Sequence, residues 1–350
     1  MKLQERYEAA FIGCAIGDAL GMPVEGFKRA QIHKYVGKVE GFMPPIIVRD
    51  TDGNKISRDE FGKLGYYTDG LEKGEWTDDT ISFLLLGESL GELGRFDLED
   101  ISRRRIEDYT SRLSPGGVAR GGFGQTTKLG FENVVRGISP YESGVVGGPG
   151  NAPAMMMGSL GVYMHATGEY GEGVASAELV AKMTHLDPRS VAGGVVQAHA
   201  MYAVLNDMPQ DTFVNSLVDI CRKYERPATA QFSWHGWGSL LARLEWIRDN
   251  KDATPEDAYL RLTPSSTAYS SHPFALFMFQ KYGEENPVKG LLETINYGGD
   301  CDTTGAIYGS LIGGKNGLIF PETWKQEVKG RERLQQAGDR LYQLRLEHAR

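Results

Sequence analysis

Apolar residues recur at helical spacing along most of this 350-residue chain, and this periodicity constrains the fold more than any other feature of the sequence. In the first such segment, Ala9, Ile12, Ile16 and Leu20 fall on one face of a helix. No series of segments alternates polar and apolar residues as strands do, and no alternation of strands with helices indicates a parallel sheet. The pattern therefore predicts an all-α protein with about a dozen helices joined by glycine-rich connections.

Ten segments have this spacing and are predicted to be helical. They are residues 7–21, 80–93, 153–166, 174–183, 191–205, 212–224, 238–247, 273–282, 303–312 and 322–348. Thr254-Pro255 and Asn286-Pro287 are typical of two further helix starts. We expect one domain over residues 1–350, with an irregular insertion at about 38–74 that contains a short hairpin.

Charge and cysteine content narrow the class of protein. The chain has 38 basic and 46 acidic residues, a formal net charge of −8, which argues against a nucleic-acid partner because phosphate backbones need a basic surface. No run approaches the ~18 apolar residues of a membrane span, and the start lacks a signal peptide's apolar stretch. Cys14, Cys221 and Cys301 form neither a disulfide framework nor a zinc motif. We expect a cytoplasmic protein without a membrane partner, and the sequence does not indicate its oligomeric state.

Two acidic segments, each directly before a predicted helix, carry the strongest chemical signal. They are EWTDDT at residues 75–80 and GGDCDTTG at residues 298–305. Helix capping alone can account for either one, since Asp and Thr are favoured at helix starts. If the fold brings both together, however, their four carboxylates repel one another unless a cation neutralises them. Oxygen ligands without His or Cys suit Mg²⁺, Mn²⁺ or Ca²⁺ rather than zinc, and two ions ~3.5–4 Å apart are one arrangement.

At these residues the chain resembles the ADP-ribosylglycohydrolase family, which includes the dinitrogenase reductase-activating glycohydrolase. The resemblance spans residues 7–314 and rests on five motifs in the family's order. They are Gly17-Asp18-Ala19-Leu20-Gly21 followed by Glu25, Thr77-Asp78-Asp79-Thr80, Gly150-Asn151 followed by Ala154-Met155, Thr184-His185-Leu186-Asp187-Pro188, and Gly299-Asp300-Cys301-Asp302-Thr303 followed by Gly305-Ala306-Ile307. Any one motif is weak, whereas five in order are strong.

The resemblance implies a compact orthogonal helical bundle and a role for each matching residue. It implies a centre of two Mg²⁺ or Mn²⁺ ions, held by Thr77, Asp78, Asp79, Asp300, Asp302 and Thr303. Glu25 matches an acidic residue that acts on the attacking water or gates the substrate, and Asp79 is the second catalytic candidate. The implied substrate contacts are Gly148, Pro149, Gly150 and Asn151 along a diphosphate, and His185 in a ribose pocket.

The activity implied by the resemblance is metal-dependent removal of ADP-ribose from an acceptor, by hydrolysis of an N- or O-ribosyl bond. Such cleavage passes through an oxocarbenium-like transition state, and a metal pair can lower the pKa of a bound water. Two alternatives stay open. One is a hydrolase of a small nucleoside or ribosyl metabolite, and the other is a non-catalytic, crystallin-like binding or structural protein. The complete set of acidic residues argues against the second alternative.

Two positions depart from the family pattern. Met156 stands where many members have an Arg, and Cys301 stands where Thr is more usual. Without the charged donor, the enzyme is expected to be a poor ADP-ribosyl-arginine hydrolase. The alternative is that Met156 packs against a neighbouring helix and never meets substrate. We expect Cys301 to have little effect.

Three further features of the sequence each allow a functional and a simpler structural interpretation. GFGQTT at residues 122–127 can form a phosphate-facing loop, but a plain glycine-rich turn is favoured. SWHGW at residues 233–237 can form a stacking wall for a base, but core aromatic residues are favoured. Asp18 is expected to orient the metal ligands rather than to bind the metal directly.

Overall fold

The computed structural model describes residues 2–46, 71–113, 121–226 and 238–349. This part of the chain contains seventeen α-helices and a 3₁₀ turn at Met22–Val24. The first nine helices are α1 (Leu3–Gly21), α2 (Arg29–Tyr35), α3 (Asp78–Leu93), α4 (Leu98–Ser111), α5 (Gln125–Val135), α6 (Ala152–Met156), α7 (Gly158–Thr167), α8 (Tyr170–Lys182) and α9 (Pro188–Leu205). The remaining eight are α10 (Gln210–Tyr224), α11 (Leu240–Asp249), α12 (Pro255–Leu262), α13 (Ser271–Tyr282), α14 (Pro287–Asn296), α15 (Cys301–Asn316), α16 (Glu322–Glu327) and α17 (Arg331–His348).

The described residues form no β-strand, and three isolated bridges join described residues to one another. The predicted all-α class is therefore confirmed. In the same part of the chain, no helix is both long enough and apolar enough to cross a lipid bilayer. Most of the predicted insertion at about 38–74, namely residues 47–70, lies outside the described residues, as does the aromatic segment at 233–237. One domain over residues 1–350 stays a prediction.

All ten segments predicted to be helical contain helices, although two of them are divided. Residues 153–166 fall on α6 and α7, which meet at Met157, and residues 322–348 fall on α16 and α17. The second division is marked by Gly330, whose φ of +67° is left-handed and favours glycine. The start signals at Thr254 and Asn286 correspond to α12 and α14.

Helices α2, α4 and α5 were not predicted, and α4 shows one reason. Its buried face carries Leu98, Ile101, Arg105 and Tyr109, so an arginine occupies a position at which an apolar residue is expected. The rest of α4 is strongly charged. The apolar stripe is therefore too interrupted to be seen in the sequence alone.

Helices α1 and α15 pack against each other in opposite directions and are buried over most of their length. A methyl group added to Gly17 of α1 would lie 1.9 Å from the carbonyl oxygen of Gly305, and one added to Gly13 would lie 2.2 Å from that of Gly309. The two backbones are thus in direct contact. Because the directions are opposed, the end of α1 at Gly21 meets the start of α15 at Cys301.

Candidate active site

Asp18 of α1 organises the start of α3. Its carboxylate accepts hydrogen bonds from the backbone N–H of Thr77 (3.0 Å) and of Thr80 (3.0 Å), and from their hydroxyl groups at 3.0 and 2.6 Å. Burial raises the pKa of Asp18 to about 6, and these hydrogen bonds oppose the rise. Asp18 therefore fixes the first acidic segment against α1, and its orienting rather than metal-binding role stays a prediction.

Two groups of carboxylates form where the two acidic segments meet. The first consists of Asp18, Asp79 and Asp302, and the second consists of Glu25, Asp300 and Asp302. Within each group, one oxygen from each residue lies within 4.8 Å of the others. Asp302 belongs to both groups, so the groups are adjacent. The antiparallel contact of α1 with α15 and the hydrogen bonds of Asp18 bring these residues together.

Burial and mutual repulsion make the charged form of the carboxylates in this cluster unfavourable. Burial raises the pKa values of Asp78, Asp79 and Asp302 well above their ordinary range, and neighbouring carboxylates raise them further. Among the described residues, the Oδ1 atom of Asp79 is buried without a hydrogen-bond partner. A buried oxygen in this state costs free energy unless something satisfies it. A set of oxygen donors with an unsatisfied carboxylate oxygen fits a divalent cation.

A cavity of about 430 Å³ opens over this cluster. Five of the six predicted metal ligands line it, namely Asp78, Asp79, Asp300, Asp302 and Thr303. The sixth, Thr77, does not line it; its hydroxyl group is buried and lies 3.0 Å from Asp18 Oδ1 and 3.1 Å from Asp79 Oδ2. Glu25 lines the same cavity, as predicted from its position after the end of α1. Whether these residues bind metal stays a prediction.

The predicted substrate contacts lie on the wall of the same cavity. Gly148, Pro149, Gly150, Asn151 and His185 all line it. The side-chain amide of Asn151 donates hydrogen bonds to Asp300 and, at 2.9 Å, to Ser271, so this loop is tied to the carboxylate cluster. The carbonyl oxygen of Pro149 accepts a hydrogen bond from the backbone N–H of Ala268 at 2.7 Å.

His185 depends on the absence of a side chain at Gly150. A methyl group added to Gly150 would lie 2.8 Å from Nε2 of His185, and Nδ1 of the ring lies 2.8 Å from the Thr184 hydroxyl group. Burial lowers the pKa of His185 to about 3, and the nearby Arg105 charge contributes to this shift. The imidazole is therefore neutral at physiological pH and can serve as a hydrogen-bonding group beside the cavity.

Sequence reasoning missed two parts of the cavity wall. Gly122, Gly124 and residues 125–127 at the start of α5 line the cavity, a placement that favours the phosphate-facing alternative for this segment over the plain turn. The two glycines before Gln-Thr-Thr were the available signal. Ser266 and Thr267 also line the cavity, and the run of hydroxyl residues in SSTAYSS at 265–271 was the corresponding signal.

Arg105 was also missed, because the apolar periodicity of the sequence does not identify a charged residue that is buried. It is fully buried, its guanidinium carbon lies 5.1 Å from the centre of the Phe131 ring, and Nε and Nη1 have no hydrogen-bond partner among the described residues. Burial lowers its pKa to about 10, while the charge of Asp78 opposes the shift. The side chain therefore keeps a positive charge close to the acidic cluster.

The two departures from the family pattern lie away from the cavity. Met156 is buried in the core, whereas its neighbour Met155 lines the cavity. This placement favours the packing alternative for Met156 over a role in substrate contact. Cys301 is also buried, and its Sγ lies 3.4 Å from the carbonyl oxygen of Gly21, at the contact between α15 and α1.

Comparison with known proteins supports the family resemblance found in the sequence. Residues 1–350 match the sequence profile of the ADP-ribosylglycohydrolase family. An uncharacterized protein of Archaeoglobus fulgidus is 28% identical over 98% of both chains, and the ADP-ribosylhydrolase ARH3 of Xenopus tropicalis is 24% identical over 97% of this chain and 95% of its own length. A solved structure described as an ADP-ribosylglycohydrolase-related protein complex is 26% identical, with a TM-score of 0.68 over 98% of both chains.

These similarities extend over the whole chain and include the fold as well as the sequence. The all-α architecture is the one shared with the solved relative. The acidic cluster, the cavity and the glycine-rich loop lie on elements within the matched region. This chain belongs to the ADP-ribosylglycohydrolase family and is a glycosidase-type hydrolase.

Proposed function

We propose that this protein removes ADP-ribose from an acceptor by metal-dependent hydrolysis of an N- or O-ribosyl bond. One observation carries the proposal. Two acidic helix starts, distant in sequence, line one cavity together with the glycine-rich loop at residues 148–151. The cavity volume of about 430 Å³ is also in the range of small-molecule sites.

The acidic cluster is proposed to hold two divalent cations, Mg²⁺ or Mn²⁺. The candidate ligands are Asp78, Asp79, Asp300, Asp302 and Thr303 on the cavity wall, with Thr77 beside them. The sharing of Asp302 by two carboxylate groups supports two adjacent positions, and the unsatisfied Oδ1 of Asp79 supports occupation by a cation. A bound pair of ions would lower the pKa of a water molecule and orient ribose hydroxyl groups.

Glu25 is proposed to accept a proton from the attacking water. Its carboxylate lines the cavity, and one of its oxygens lies within 4.8 Å of oxygens of Asp300 and Asp302. A carboxylate in that place can take the proton that water loses as it attacks the ribosyl carbon. Asp79 is the second catalytic candidate, because its unsatisfied oxygen lies in the same cluster.

The glycine-rich loop and His185 are proposed to bind the ADP-ribosyl part of the substrate. Gly148 and Gly150 leave room for backbone N–H groups to approach phosphate oxygens. The start of α5, with Gln125, Thr126 and Thr127, adds further polar groups to that wall. The neutral imidazole of His185 would contact the ribose as a hydrogen-bonding group.

A substrate panel tests the proposal. ADP-ribosyl-arginine, ADP-ribosyl-serine and simple nucleosides are incubated with Mg²⁺, Mn²⁺ or a chelator, and the products are identified by mass spectrometry. We expect release of ADP-ribose that the chelator abolishes. Cleavage of nucleosides alone would instead support the small-metabolite alternative, and turnover undiminished by the chelator would contradict metal dependence.

The location of the protein in the cell is a separate question, and a cytoplasmic location stays a prediction.

A further inference from the structure

A second cavity adjoins the one described above, and we call it the side pocket. Its volume is about 500 Å³, and it shares Glu25, Ser266 and Asp300 with the main cavity over the acidic cluster. The two spaces therefore meet at the carboxylate proposed to receive the proton. Nothing in the proposed chemistry so far uses the side pocket.

The walls of the side pocket are held firmly in place. Gly299 has a φ of +77°, and a methyl group added to it would lie 2.1 Å from the carbonyl oxygen of Pro264. The backbone N–H of Gly26 donates a hydrogen bond to the carbonyl oxygen of Gly299 at 2.6 Å. Thr263, a β-branched residue on the same wall, has a φ of +47°. Backbone strain of this kind is found preferentially at functional sites.

The side pocket differs in charge from the acidic cluster. Apart from the shared Glu25 and Asp300, its described lining residues include two cations, Lys28 and Arg243, and no further acid. The guanidinium carbon of Arg243 lies 4.8 Å from the centre of the Tyr269 ring, and Arg243 also donates a hydrogen bond to the carbonyl oxygen of Leu262. Tyr259 and Tyr269 add two aromatic side chains to the lining, and the guanidinium carbon of Arg189 also lies 5.2 Å from the centre of the Tyr269 ring.

We propose that the side pocket receives the leaving group, and that it selects leaving groups that are flat and carry a negative charge. This inference rests on the proposed function. If the ADP-ribosyl part lies along the glycine-rich loop in the main cavity, the ribosyl bond to be broken lies near the shared residues. The departing group then extends past Glu25 into the side pocket. Lys28 and Arg243 attract an anionic group there and repel a guanidinium group.

The bond changes can be written for an aryl ADP-riboside. The bond from the ribosyl C1″ carbon to the aryl oxygen breaks, and its electron pair leaves with that oxygen. Water forms the new bond to C1″ and loses one proton to Glu25, and the aryl oxygen gains a proton from the medium. The products are ADP-ribose and a phenol, and no oxidant or reductant is needed.

Three α-linked aryl ADP-ribosides test the inference. They carry a para-carboxylate, a para-carboxamide or a para-aminomethyl group, so they have similar shape and differ in charge. We expect kcat/KM to fall from carboxylate to carboxamide to aminomethyl after correction for the intrinsic reactivity of each bond.

Lys28→Glu is the first variant, because Lys28 is exposed and its replacement should leave the fold intact. Lys34→Glu is the matched control, since Lys34 is also an exposed lysine, lies on α2 and lines neither cavity. Lys28→Glu should lower the carboxylate-to-aminomethyl ratio of kcat/KM by about fivefold, the size expected for a partly exposed charge. Lys34→Glu should leave that ratio unchanged.

Arg243→Gln provides a second test of the same ratio, with the melting temperature measured in parallel because Arg243 is mostly buried. Comparing variant with wild type cancels the intrinsic reactivity of each substrate. Hydrolysis of all three substrates with ratios unchanged in both pocket variants would overturn the leaving-group assignment and leave the proposed function standing. Failure of the wild type to cleave any ADP-ribosyl compound would overturn both.

Discussion

At the scale of single residues, Asp302 is the point at which the two carboxylate groups meet. Asp302→Asn should abolish binding of the second cation and weaken the first, because a neutral amide is a poorer ligand. We expect turnover to fall by at least ~100-fold, as expected when an electrostatic element of a site is removed. Calorimetric titration with Mn²⁺ and steady-state kinetics measure the two effects.

The matched control for this variant is Asp252→Asn, because Asp252 is an exposed aspartate. It should change neither metal affinity nor turnover. If Asp302→Asn bound Mn²⁺ with the wild-type affinity and stoichiometry, the ligand assignment would be wrong.

A substitution at Glu25 can distinguish a role in proton transfer from a role in metal binding. Glu25→Gln keeps the shape of the side chain but removes its ability to accept a proton, so turnover should fall about 10²- to 10⁴-fold at saturating metal. Metal affinity should change much less. Wild-type turnover in this variant, measured with saturating Mg²⁺ or Mn²⁺, would remove Glu25 from the mechanism.

Met156 is expected to matter for stability and not for specificity. Met156→Arg places a charge in the core, and we expect the free energy of unfolding to drop by roughly 3 kcal/mol or more. Met156→Leu, which keeps the volume, should cost less than about 1.5 kcal/mol. The ratio of activities toward ADP-ribosyl-arginine and ADP-ribosyl-serine should be the same in both variants. A changed ratio in Met156→Arg would restore the specificity hypothesis.

At the scale of helices, the contact between α1 and α15 places the acidic residues. Asp18 lies one residue after Gly17, and Asp302 lies three residues before Gly305, so the closest backbone contact lies directly beside the carboxylate cluster. The distance between these helices therefore sets the distance between the two acidic segments. Substitution of the contact glycines should affect the site as well as the fold.

Gly17→Ala tests that dependence. Its methyl group would lie 1.9 Å from a backbone oxygen that cannot move independently, so we expect a loss of at least ~2 kcal/mol in unfolding free energy and weaker Mn²⁺ binding. The control is Gly171→Ala on α8, where an added methyl group meets nothing within 4 Å. That substitution should stabilise the protein by about 0.5–1 kcal/mol through helix propensity and chain entropy. Equal effects of the two substitutions on stability would contradict the packing argument.

At the scale of the whole molecule, the acidic cluster should make stability depend on pH. The pKa values of Asp78, Asp79 and Asp302 are raised by burial, and that of Asp18 is raised to about 6. At these four carboxyl groups the native state holds more protons than the unfolded state from about pH 4, where an unfolded Asp titrates, up to pH 6 and above. Their contribution to the unfolding free energy therefore falls as pH rises through this window.

Through these four carboxyl groups, metal-free protein should lose on the order of 1–3 kcal/mol between pH 5 and pH 7.5. The buried His165, His185, His199 and His272 oppose this loss, because burial lowers their pKa values to about 3–4 and the unfolded chain binds their protons below about pH 6.5. Saturating Mg²⁺ should reverse the loss at pH 7.5, because a ligand that binds only the native state stabilises it. Thermal melts at both pH values, with chelator or with Mg²⁺, measure the effect. The stability of metal-free Asp302→Asn relative to the wild type should rise from pH 5 to pH 7.5, because the variant lacks one of the carboxyl groups with a raised pKa. A difference between the two proteins that is the same at both pH values would refute the prediction.

The sequence by itself determined the helical class, most of the helices and the acidic candidates. Those features are local, because helical spacing and helix-start chemistry are properties of neighbouring residues. It did not reveal α4, whose buried face includes Arg105, nor the contributions of Ser266, Thr267 and the start of α5 to the cavity. Nor could it decide which of Met155 and Met156 lines the cavity, because adjacent residues on a helix differ in direction only relative to its neighbours.

Tertiary structure alone decided that the acidic segments meet. Residues 75–80 and 298–305 are far apart in the chain. Their distance in space depends on the glycine contacts of α1 with α15 and on the hydrogen bonds that Asp18 accepts from four donor groups of Thr77 and Thr80. The helix propensity of neighbouring residues does not predict such contacts, because each contact depends on the shape and polarity of a partner helix. The physical reason is that the positions of the carboxylates along the chain can be read from the sequence, but their mutual repulsion cannot. That repulsion, which favours a bound cation, arises only when packing removes water and brings the charges within a few ångströms.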